Sequence, residues 1–125
     1  MPMRLSATAR DHWERLAAEY QPAHVLTLRE DIQAHVAHIR DRARFNELLP
    51  VDIAEMLAER LLQVLADLSK LGDEQQRWLV GAARYFISHE DEVPDTTSVL
   101  GLEDDTAVFN HVMDLLGRND MKVDP

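Results

Sequence analysis

Four aspartates, Asp91, Asp95, Asp104 and Asp105, fall within fifteen residues of one another, and His89 stands just ahead of them. If they converged, their oxygens would suit a hard divalent cation such as Mg²⁺ or Ca²⁺, with hydrolysis as an extension of that chemistry. The spacing matches no EF-hand loop, and no evident base or nucleophile accompanies the acids. A second set, Asp31, His35 and His38, is spaced i, i+4, i+7. At roughly 100° per residue these three share a narrow helical stripe. Imidazole and carboxylate at such spacing serve as metal ligands when another helix completes the shell. That stripe lies roughly 80–100° from an apolar face centred on Ile32 and Ile39. Arg42 adds a cation to it, so a solvated flank with Asp31 bonded to His35 explains the residues without any metal. No HExxH, Ser-His-Asp signature or glycine-rich phosphate loop is present, and the chain has no cysteine to act as thiolate ligand or nucleophile. No cofactor is expected.

The elements that must position these residues are helical. A chain of 125 residues, 46% hydrophobic, with four glycines and five prolines, has the profile of one folded domain. Hydrophobic spacing predicts five helices and no strand, hence an all-α fold: a single compact helical bundle over residues 1–125. Ser6 caps the first helix, whose face is Ala9, Trp13, Leu16, Ala17 and Tyr20, and Pro22 ends or interrupts it. Thr27 and Glu30 form the capping box of a second helix with Leu28, Ile32, Val36, Ile39 and Ala43 on its apolar side. The third begins near Pro50 and Asp52 and carries a stripe from Ile53 and Met56 through Leu68 and Leu71 to Gly72. Its breadth makes it the expected central helix. The fourth starts at Asp73 with Gln76 as capping partner, and its Gly81 marks a close approach by a neighbour. The fifth, anchored by Asp104 or Asp105, presents Val108, Phe109, Val112, Leu115 and Leu116 and stops at Gly117. Residues 118–125 read as a loose tail.

Between the fourth and fifth helices the chain reads Tyr85-Phe-Ile-Ser, Asp91, Val93-Pro94-Asp95, then Leu100-Gly101, Asp104-Asp105 and an apolar helix. This pattern, over about residues 75–115, resembles the YkvA-like domain, a small bacterial helical domain whose biochemical activity is not established. The resemblance implies a helical fold and assigns Tyr85, Asp91, Pro94, Asp95, Gly101, Asp104 and Asp105 to the family motif. Two positions depart from it. His89 stands where relatives carry proline, and Thr96-Thr97-Ser98 replaces a greasy linker, which makes membrane association a poor fit here. In local terms Pro94 turns the chain. Asp95 suits the start of a short helical turn through Val99 and Leu100, and Gly101 closes it. Asp104 and Asp105 cap the last helix, each worth about 0.5–2 kcal/mol. Capping thus accounts for the motif aspartates without a cation.

It does not account for Glu90, Glu92 and Glu103. Residues 85–117 carry eight acids and no lysine or arginine, whereas the rest of the chain holds 13 bases and 15 acids. A net charge of −10 argues against nucleic acid and anionic lipid as partners. No stretch has the length to span a bilayer, and no secretory signal opens the chain, so the cytoplasm is the expected location. The expectation is a non-enzymatic interaction module. Glu90, Glu92 and Glu103, with the apolar Val93 and Leu102 beside them, would meet a basic or mixed protein surface. A histidine at position 89 among so many carboxylates would also hold its proton more readily.

Overall fold

The computed structural model describes residues 5–45, 51–88 and 99–123, with side chains for all of these except residues 88 and 99–102. Five α-helices follow in order: α1 (Ala7–Ala18), α2 (Pro22–Ala43), α3 (Val51–Leu65), α4 (Asp73–Ser88) and α5 (Val99–Leu116). Short 3₁₀ turns occupy Leu68–Lys70 and Asn119–Met121, and there is no strand among the described residues. The all-α bundle expected from hydrophobic spacing is the architecture found.

Ser6 caps α1 as its type and position require, its hydroxyl accepting the Ala9 N–H at 3.1 Å. The start of α2 differs from expectation. Thr27 is not its cap: the helix begins five residues earlier, at Pro22, whose fixed φ and missing N–H suit a first helical position. Gln21 precedes it in extended geometry, and its N–H donates to His24 Nδ1 at 3.2 Å. Thr27 lies inside the helix and donates its hydroxyl proton to Asp31 Oδ2 at 3.1 Å. The apolar spacing itself holds, for Leu28, Ile32, Val36 and Ile39 are all buried.

The third helix is shorter than its stripe. Leu57, Leu61 and Val64 are buried, but Met56 is 38% exposed and the helix ends at Leu65. Beyond it, Gln76 of α4 reaches back and its Nε2 donates to the carbonyls of Leu68 (3.1 Å) and Leu71 (3.0 Å). Those acceptors are thereby satisfied outside a helix, which lets the chain turn. Gln76 is therefore a splice between segments and not the capping partner. That part falls to Gln75, whose Oε1 accepts the Gly72 N–H at 3.0 Å.

The central helix is α4, not α3. It packs against all four others, whereas α3 meets α1 in no major contact. Breadth of stripe was the wrong criterion; closeness of approach decides. Gly81, Ala82 and Ala83 are all buried on α4, and small residues let neighbouring backbones come near. A Cβ on Gly81 would stand 3.0 Å from the N, Cα and Cβ of Ala17, so α1 lies directly on this glycine. The expected close approach at Gly81 is thus met by α1. Trp13 fastens the same interface, its indole N–H donating to the Trp78 carbonyl at 3.0 Å.

The last helix, α5, begins at Val99, so Asp104 and Asp105 lie within it and do not cap it. Val99, Leu100 and Gly101 belong to the same helix and not to a separate turn closed by a left-handed glycine. A glycine inside a helix costs about 1 kcal/mol relative to alanine, which does not suffice to break one that buries a long apolar face. Gly117 is the stop, at φ +72°. Its N–H bonds the Asp114 carbonyl at 3.1 Å, and the Arg118 N–H bonds that of Met113 at 2.8 Å. These two bonds are the Schellman arrangement, which favours glycine for its left-handed backbone.

Residues 118–123 do not form a loose tail. Met121 and Val123 are buried and join the same core cluster as side chains from all five helices. The reason is apolar spacing: two hydrophobic residues flank one lysine, and that pattern can bury alternate positions.

Candidate functional site

The structure describes the acidic connection only in part. Glu90, Glu92, Val93, Asp91, Pro94 and Asp95, together with His89, lie outside the described residues. Leu102 is placed on α5 by its backbone, and Glu103 is exposed on the same helix. Asp104 is half-buried, Asp105 is only 5% exposed, and Thr106 is fully buried. The end of α5 therefore turns one acid to solvent and one into the protein. Tyr85 is buried at the far end of α4, its ring 5.1 Å from that of His12 on α1 and tilted by 57°. Tyr85 packs between α1 and α4.

The Asp31, His35 and His38 stripe is not gathered into a ligand set. Asp31 is exposed and accepts from Thr27, while His38 is also exposed. The His35 ring meets Phe86 of α4 edge-on at 4.7 Å. Among the described residues no group of three or more His, Asp or Glu side chains is placed to hold a metal ion. No helix among them is long and apolar enough to cross a membrane.

Two clefts were not foreseen. The first, of about 420 Å³, opens where α1, α4 and α5 meet. Trp13, Trp78, His111 and Leu115 line it, and Arg10, Glu14, Glu74 and Arg77 ring it with two charges of each sign. Arg10 Nε pairs with Glu14 Oε1 at 3.1 Å along one helix face. The His111 ring stands edge-on to Trp13 at 5.4 Å and 86°. Burial lowers its pKa below 6.5, the Arg10 charge lowers it further, and Asp114 and Glu14 act in the opposite direction. Neutral imidazole is the form this cleft favours. The second cleft, about 390 Å³, runs between α2 and α3 beneath the Arg40–Glu55 pair, which is 3.1 Å long.

A third feature escaped the sequence reading as well. Asn110 of α5 bonds the backbone of Val123 twice: Nδ2 donates to the carbonyl at 2.9 Å, and the Val123 N–H donates to Oδ1 at 2.8 Å. Lys122, between the two buried residues, places Nζ 2.6 Å from Asp114 Oδ1. The visible signal was a polar pair, Asn110-His111, interrupting an apolar run of α5. Such a pair commonly marks a satisfied contact with another segment.

Against known proteins, the chain matches no family model, no curated protein and no solved structure.

Proposed function

We propose that this chain is a non-enzymatic protein-interaction module of the YkvA-like type, acting in the bacterial cytoplasm through its acidic 89–105 region. The observation that carries this reading is charge segregation. Residues 85–117 hold eight acids and no base, while the remainder is nearly balanced. A one-signed end on a small molecule raises encounter rates with a basic or mixed surface and discriminates against acidic ones. Glu103, exposed on α5, is the member of the proposed contact set whose side chain is described; the set also includes Glu90, Glu92, Val93 and Leu102. Burial of Tyr85 and Asp105 supports a structural part for these motif residues, leaving the glutamates for recognition. A cation held by the motif aspartates is the weaker reading. Asp104 and Asp105 are neighbours on one helix, and side chains at i and i+1 do not face each other.

The test is a Glu90/Glu92/Glu103→Lys triple variant compared with the unaltered protein in crosslinking and pull-down from bacterial lysate. At about 0.15 M salt the variant should recover specific partners about tenfold less well, with the deficit shrinking as salt screens both proteins alike. A folded variant that recovers the same partners in the same amounts would remove the proposal.

A further inference from the structure

We infer that α5 carries a peptide-binding site, filled in this structure by the chain's own residues 121–123, which accepts an extended segment of the pattern apolar–basic–apolar from a protein partner. Asn110 addresses only backbone atoms, with one donor and one acceptor on the same residue. Any residue except proline offers that pair, so the recognition does not depend on the side chain being valine. Selectivity comes from the flanks. Met121 and Val123 are buried, and between them Lys122 is extended (φ −60°, ψ 146°) and reaches Asp114. Asp114 belongs to the base-free stretch, so the nearest charge on α5 selects a cation at the middle position.

The occupying segment is held as a ligand is held. The carboxyl end of α5 completes its own hydrogen bonds at Gly117 and Arg118, so residues 119–123 can leave without unravelling it. Among the described residues their further polar contacts are peripheral: the Met121 N–H donates to the Arg118 carbonyl at 3.0 Å, Arg60 Nη1 donates to the Asp120 carbonyl at 3.3 Å, and Arg118 and Asp120 pair at 3.8 Å. A tethered segment competes at an effective concentration of about millimolar, so a free peptide of the same sequence binds weakly until the tethered copy is loosened. This site is distinct from the glutamate surface proposed above, and the two succeed or fail separately.

The experiment uses the full chain and a fluorescein-labelled peptide, RNDMKVDP, read by anisotropy. Val123→Asp removes a buried anchor from the tethered segment and should tighten peptide binding about tenfold relative to the unaltered chain. Adding Asn110→Ala to that variant should abolish the gain, as should a peptide carrying Lys122→Glu. The inference is overturned if V123D, helical by circular dichroism, leaves the peptide free, or if N110A/V123D binds it equally. Should V123D fail to fold, the unaltered chain is titrated with millimolar unlabelled peptide and followed by NMR. Displacement moves the Val123 amide signal toward its random-coil position, and an unmoved signal rejects the site.

Discussion

His111 shows what one side chain carries when it is set between a buried indole and two kinds of charge. Its lowered pKa means that the unfolded chain takes up the proton first as pH falls from neutrality. The histidine's contribution to stability is therefore complete above pH 6.5, declines as pH drops through that value, and is lost below the folded-state pKa. Urea unfolding at pH 7.5 and 5.5 should show the unaltered protein losing more stability across this window than His111→Gln. An NMR titration should place the His111 pKa below 6.5, raised by Arg10→Ala and lowered further by Asp114→Asn. None of this was legible in the sequence, because Arg10 and Trp13 reach His111 from a helix a hundred residues away in the chain. The Ser6 cap and the Gly117 stop were legible, since each depends on neighbours within a few residues.

Among the elements, α4 owes its place to what it lacks. Gly81→Ala would add helix propensity worth about 1 kcal/mol. The new methyl would stand 3.0 Å from three atoms of Ala17, two of them backbone, so α1 must shift. Overpacking of this kind costs about 1–3 kcal/mol. Urea denaturation should find the variant less stable, opposite in sign to the propensity scale; a stabilised G81A would mean that α1 does not rest on this glycine. Periodicity located all five helices and most of their buried faces. It erred at boundaries, where a competitor decided: Pro22 over Thr27 for α2, Gln76 against the extension of α3, and a long apolar face over two aspartates for α5. Each competitor is visible in the sequence, but which one prevails depends on packing that the sequence does not display.

On the scale of the whole molecule, buried side chains from all five helices and from residues 121–123 belong to one cluster. A core shared by all five helices has no internal seam along which one helix can melt alone. Far-UV circular dichroism and the fluorescence of Trp13 and Trp78 should therefore report coincident urea transitions; separated midpoints would reveal independent units. The charge map was fully legible at this scale, since it needs only the order of residues, whereas the two unforeseen clefts arise where helices distant in the chain meet. The α1–α4 interface has one more consequence, in time. Trp13 bonds a carbonyl 65 residues further along the chain. At translation rates of about 5–20 residues per second, α1 waits roughly 3–13 s on the ribosome before α4 exists. During that interval α2 and α3 can pair with each other, but the apolar side of α1 has no permanent berth. Of the five helices, α1 is the one most exposed to chaperones and to neighbouring nascent chains.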